Sequence, residues 1–126
     1  MTRKPIPFDF VLDLLAPAAP FTRPLFGCTA VYVGEKIVLA LRKKEVAESD
    51  NGVWVATTAE HHASLKRDLP SLRPIELFGP GPGGWQLLPE DSLEFAEEVQ
   101  RACALILRGD QRIGKIPKPK RPKRPK

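Results

Sequence analysis

The chain reads as an α+β domain: a two-layer fold with an antiparallel five-stranded sheet and helices in the order α-β-β-β-α-β-β-α, followed by a disordered basic C-terminal tail. Three observations predict it. Two segments, near each end, place apolar residues at helical spacing. Between them, short runs rich in Val, Ile and Leu are separated by turn residues. From Ile113 onward Pro alternates with Lys and Arg, a composition that supports no packed core. At 126 residues and 42% hydrophobic content, the chain suits one domain with its own core. The expected organisation is an arm over 1–7, the domain over 8–111 and the tail over 112–126.

The elements follow in order. Phe8, Val11, Leu12 and Leu15 recur at i, i+3, i+4 and i+7, which predicts a helix over Phe8–Ala16, started at Pro7 and ended by Pro17 and Pro20. Phe21 to Gly27, punctuated by Pro24, reads as a connector. Thr29–Val33 and Lys36–Arg42 flank Gly34-Glu35, the pattern of a hairpin with a tight turn. Asn51-Gly52 is a turn signal before a third strand, Val53–Thr57, and the three strands should form an antiparallel meander. Thr58 is a candidate N-cap for a helix over Ala59–Leu69, stopped by Pro70. Pro74–Phe78 is a fourth strand. The Gly-Pro-Gly-Pro-Gly-Gly run over 79–84 must be a loop, and Trp85–Leu88 is a fifth strand. Asp91 or Ser92 should cap a long helix to Arg108, with Phe95, Val99, Ala102, Cys103 and Ile106 as its buried stripe and Gly109 as its stop. Val31, Val33, Ile37, Leu39, Leu41, Val53, Val55, Ile75, Leu77 and Leu87 should form the sheet layer beneath the first and last helices. Phe26 should be buried where the first helix meets the first strand.

Charge is distributed unevenly. The net charge is +5, yet residues 1–111 hold 12 basic and 15 acidic side chains, and from Arg112 onward there are eight basic residues and no acidic one. Polyanion binding is therefore expected in the tail, at Lys115, Lys118, Lys120, Arg121, Lys123, Arg124 and Lys126. Cations spaced on an extended Pro-rich rod touch phosphates without reading sequence, so the implied partner is nucleic acid, or else an acidic protein. No apolar run approaches the ~20 residues of a membrane span, and the charged, Pro-containing start lacks a signal-peptide pattern. Two cysteines are too few for a disulfide framework, which predicts reduced thiols and a cytoplasmic location.

No catalytic, metal or cofactor constellation is expected. His61 and His62 are adjacent, so on a helix they point about 100° apart and do not share one metal. Cys103 belongs to an apolar stripe, and Cys28, at a strand start, reads as packing rather than as a nucleophile, which would need a base beside it. The glycine run over 79–84 lacks a following Gly-Lys-Ser/Thr and leads into a strand, unlike a phosphate-binding loop. Trp54 and Trp85 read as core anchors, since no basic residues interleave with either along the chain.

The segment Arg23-Pro24-Leu25-Phe26-Gly27-Cys28, continued by Val31-Tyr32-Val33-Gly34-Glu35-Lys36-Ile37, resembles the opening of the TfoX/Sxy N-terminal domain family. Trp85-Gln86-Leu87-Leu88-Pro89-Glu90-Asp91 is similar to that family's aromatic-x-x-x-Pro-Glu segment. The resemblance spans roughly Phe8 to Gly109, with Phe26, Gly27, Gly34, Lys36, Trp85 and Pro89 as the motif positions. Leu25 stands where the family has Met and Cys28 where it has a second Gly. Val53–Thr57 lacks the usual Lys, and the basic tail replaces a second domain. YjbR-like (MmcQ) domains show a similar meander and late Trp. The resemblance implies a two-layer α+β fold and a non-enzymatic bacterial regulatory or interaction domain linked to competence and transcription, with no catalytic residues to carry over. The alternative is a nucleic-acid-associated protein that binds phosphate through its tail.

Overall fold

The computed structural model describes residues 6–25, 27–78 and 84–116. Its framework begins with two consecutive hairpins. Strands β1 (Phe21–Leu25) and β2 (Cys28–Val33) pair antiparallel, and β2 pairs in turn with β3 (Lys36–Arg42). Gly34 closes the second hairpin at φ +62°, a left-handed conformation that glycine adopts without a Cβ penalty. Strand β4 (Gly52–Val55) extends the meander. After helix α2 (His62–Asp68) come β5 (Arg73–Pro74) and β6 (Gln86–Pro89), and β6 inserts beside β4. The antiparallel sheet therefore has six strands in the order β1-β2-β3-β4-β6-β5.

The additional strand is β1, whose sequence reads as a connector because of Pro24. Proline is tolerated there because β1 is an outer strand, where a missing N–H breaks no interior ladder. The strand expected over Pro74–Phe78 is only two residues of sheet. It gives way to a 3-10 turn over Glu76–Phe78 because the buried Asp50 carboxylate accepts the N–H groups of Glu76 (2.9 Å) and Leu77 (2.8 Å). The helices are shorter than their apolar patterns: α1 is Phe10–Leu14, with Pro17 in a 3-10 turn over Ala16–Ala18, and α3 is Phe95–Leu107. Ala59–His61 is a 3-10 turn leading into α2, and the Thr58 side chain makes no capping bond.

The two faces of the sheet are packed differently. Val31, Leu39, Leu41, Val53, Val55 and Leu88 meet Val11 and Leu15, Leu65 and Leu69, and Val99, Ala102, Cys103 and Ile106 in one core. All three helices therefore cover a single face, as expected for α1 and α3. Ile37, Ile75 and Leu87, expected in that layer, belong to clusters on the opposite face, and Leu77 is exposed. A register shift between Val31 and Tyr32 turns Ile37 and Tyr32 together onto that second face. No residue of α1, α2 or α3 joins those clusters. Phe26 lies outside the described residues.

Buried polar groups fix the loops. Arg42 donates to the carbonyls of Val46 (2.9 Å) and Ala47 (2.8 Å) and to Asn51 Oδ1 (2.9 Å). Asn51 also bonds both the N–H and the carbonyl of Lys44, so Asn51-Gly52 ends a side-chain-built clamp rather than a simple turn. At Gly52 a Cβ would collide with the Leu88 backbone of β6. Glu98 of α3 accepts from the Ser71 N–H (2.9 Å) and hydroxyl (2.8 Å), tying the loop after α2 to the last helix. Arg112 donates from Nε and Nη2 to the two carboxylate oxygens of Asp110 (2.9 and 2.8 Å), and reaches Asp68 (2.8 Å) and the Ser64 carbonyl (3.1 Å). Ile113 is buried, and Lys115 forms a β-bridge with Ile37. The segment from Arg112 to Lys115, assigned to the tail on composition, is thus part of the packed body.

Two stability predictions follow from these contacts. Replacing Glu98 by Ala leaves the Ser71 N–H without its acceptor and should cost about 1–3 kcal/mol, read as a lower urea midpoint with an unchanged slope. An unchanged midpoint would show that water replaces the carboxylate at no cost. The second concerns pH. The Arg112 side chain holds the Asp110 carboxyl down from 3.8 to about 2, and Asp110 in turn raises the guanidinium. A lowered carboxyl value means that the contribution is complete above 3.8 and is lost as pH falls toward about 2. The difference in thermal midpoint between the native chain and Asp110→Asn should therefore be present at neutral pH and shrink through that acidic window. A constant difference would refute the assignment.

Candidate functional site

The helix-free face is built from strand register. Residues directly opposite in paired strands share a face. One transverse row is Arg23, Ala30, Ala40, Trp54, Leu87 and Arg73, one residue from each strand. The neighbouring row is Phe21, Tyr32, Ile37 and Lys115. Alanines floor the first row, and aromatic and cationic side chains mark the second.

Lys115 stands in that second row because the chain returns to β3 where β4 has ended. Ile37 and Lys115 exchange backbone hydrogen bonds, each 2.9 Å, and the Gly114 N–H donates to the Ala56 carbonyl at 2.7 Å. The Lys115 ammonium then lies 6.0 Å from the centre of the Trp85 ring. Its side chain crosses Gly84, where an added Cβ would come within 2.5 Å of Nζ, so this glycine makes room for the lysine. His62 Nε2 is 3.0 Å from the Gly84 carbonyl and braces the same backbone.

At the other end of the row, the Phe21 and Tyr32 rings stack at 5.0 Å with planes 9° apart. The Arg23 guanidinium lies 5.7 Å from the first ring and 5.8 Å from the second. Phe21 remains 43% exposed. An exposed cation–π contact contributes only about 0.5–1 kcal/mol, so the fold gains little by displaying this aromatic on an outer strand. Between the ends, Tyr32 and Trp85 both pack against Ala30, Ile37 and Ala56.

The expected site residues are distributed as follows. Lys115 is on the body, while Lys118, Lys120, Arg121, Lys123, Arg124 and Lys126 lie outside the described residues, as does Phe26. Gly27 and Gly34 have positive φ at opposite ends of β2, and a Cβ on Gly27 would strike the Lys44 side chain. Lys36 opens β3 and packs its stem on Gly114. Pro89 ends β6 opposite Gly52. Trp54 is buried, as expected of a core anchor, and donates to the Asp50 carbonyl at 2.9 Å. Trp85 is half-buried and, against the sequence expectation, has a cation over its ring. Phe21, Arg23 and Tyr32 are missed by sequence reasoning. The i, i+2 spacing of Phe21 and Arg23 would have placed them on one face had this segment been read as a strand.

Groups suited to acid-base or nucleophilic chemistry are dispersed. His61 approaches Glu60 at 3.6 Å while His62 faces Gly84, so the two histidines diverge. Among the described residues no three His, Cys, Asp or Glu side chains gather as a metal site. An open cavity of about 450 Å³ at the sheet edge includes Arg23, Gly27, Cys28 and Thr29 in its lining. Burial pushes the Cys28 thiol up despite the opposing charges of Arg42 and Lys44. Burial alone pushes Cys103 up to about 12. A thiol held above its ordinary value is a poor nucleophile. Both cysteines should therefore react slowly with Ellman's reagent in the native protein and rapidly once it is denatured. Rapid native labelling of Cys28 would overturn this. No helix among the described residues is long and apolar enough to cross a membrane. Comparison with protein-family models, with curated proteins and with solved structures finds no match to this chain.

Proposed function

We propose that this chain is a non-enzymatic interaction domain of the regulatory kind implied by its TfoX/Sxy-like motifs, and that its ligand is nucleic-acid phosphate held by the basic C-terminal segment. The observation that carries the reading is the seating of Lys115. Backbone pairing with Ile37 roots the basic segment on the helix-free face, next to Trp85 and in the same row as Tyr32 and Phe21. Six further cations follow within residues 118–126, and none of the residues after Lys115 is acidic. The body itself is acidic in balance, so attraction to phosphate depends on this segment. The buried ionisable groups are engaged in holding loops: Asp50 caps a turn, Glu98 holds Ser71 and Arg42 holds the loop over 43–51. A cytoplasmic location accords with two reduced thiols.

The test is the salt dependence of binding to a DNA duplex. Each phosphate neutralised adds about −0.9 to the slope of log K against log salt, so the intact chain should show a slope of roughly −5. A full-length variant with Lys118, Lys120, Arg121, Lys123, Arg124 and Lys126 all changed to Gln should lose most of both slope and affinity. If affinity and slope survive neutralisation, the basic segment is not the phosphate-binding element.

A further inference from the structure

The second row crosses the sheet as Phe21, Tyr32, Ile37 and Lys115, with Arg23 beside the first two rings and Trp85 beneath the lysine. Aromatic and cationic groups thus alternate along one line on a face that carries no α-helix. Adjacent strands are about 4.8 Å apart, so the row spans roughly 14 Å, the length of about four stacked nucleotides. We infer that this row is a binding surface for single-stranded nucleic acid, in which Phe21, Tyr32 and Trp85 offer stacking surfaces to unpaired bases while Arg23 and Lys115 meet the phosphates between them. The inference rests on the phosphate-binding reading above and adds to it the strandedness of the ligand and the face that selects it.

Three features favour this ligand. An acidic peptide would satisfy the two cations but give the rings no partner. A duplex keeps its bases stacked inside and presents phosphate alone, so the rings would again be unused. Unpaired bases have exposed π-faces, and stacking on aromatic side chains is tolerant of sequence. Charge agrees locally: Arg23 and Lys115 are the ionic members of the row, and Glu35, in the turn between β2 and β3, is its acidic neighbour in sequence. The basic segment continues from Lys115, so a strand lying on the row could run directly onto it.

The experiment measures fluorescence anisotropy of three labelled probes of equal length, oligo(dT), a duplex and an abasic phosphodiester oligomer, with the full-length chain. The variants are Phe21→Ser with Arg23→Gln, the six-fold tail substitution, and Tyr32→Phe as the conservative control. Phe21 and Arg23 are exposed, and an unchanged thermal midpoint verifies that the double variant folds. The intact chain should bind oligo(dT) more tightly than the abasic oligomer. The double variant should weaken oligo(dT) binding by roughly 5- to 150-fold, the effect of losing about one stacked base, and leave duplex binding unchanged. Tyr32→Phe should retain oligo(dT) binding. Equal affinity for the oligo(dT) and abasic probes, or a double variant that binds oligo(dT) normally, overturns the inference. If in that case the tail substitution still abolishes duplex binding, the phosphate-binding function stands without it. If the intact chain binds none of the three probes, both fall.

Discussion

The return of the chain to β3 is the contact on which the organisation of this protein turns. β3 is longer than β4, so its first residues, Lys36 to Val38, project beyond the end of their neighbour. Their backbone groups would be left open on a buried strand, an unfavourable state for amides shut away from water. Gly114 and Lys115 fill the vacancy by bonding to Ala56 and Ile37, and the Arg112 clasp with Asp110 and Asp68 delivers them there. A requirement of backbone satisfaction thus fixes where a lysine and the basic sequence after it emerge. The functional surface is a by-product of completing the sheet.

A second theme is the use of buried ionisable groups as fasteners. Asp50 and Glu98 are almost wholly buried, as is Arg42, and each is saturated with hydrogen bonds to backbone groups. Removing a charge from water is costly unless its hydrogen-bonding capacity is met. Here the partners are loop amides and carbonyls, which themselves need partners once covered. The loops over 43–51 and 69–78 consequently hold definite shapes without regular secondary structure. In such a molecule a buried carboxylate signals an ordered loop rather than a catalytic centre.

The layering, the hairpin at Gly34-Glu35 and the helical stripe from Val99 to Ile106 were legible in the sequence because each depends on local periodicity. Strand β1 was not, because Pro24 is a turn signal in one-dimensional reading and becomes an ordinary edge residue only once the pairing with β2 is known. The turn at Glu76–Phe78 was hidden for a related reason: the carboxylate that caps it lies some 26 residues earlier. The same holds for the candidate site. Trp85 and Lys115 are remote in sequence, so their contact has no periodic signature, and a scan for cations around each tryptophan passes over it. Lys115 itself was recognised as a candidate, but as one charge among many in a tail rather than as a member of a sheet row.

Both outer strands of the sheet contain proline, Pro24 in β1 and Pro74 in β5, and β5 is only two residues long. An edge with a missing amide is a poor template for another strand. Copies of this domain therefore have little means of growing into extended β-assemblies through their margins, even when crowded together along a shared polymer. Whatever this sheet recognises must be read by the side chains of its open face and not by its backbone, which leaves evolution free to alter specificity there without touching the hydrogen-bonded ladder underneath.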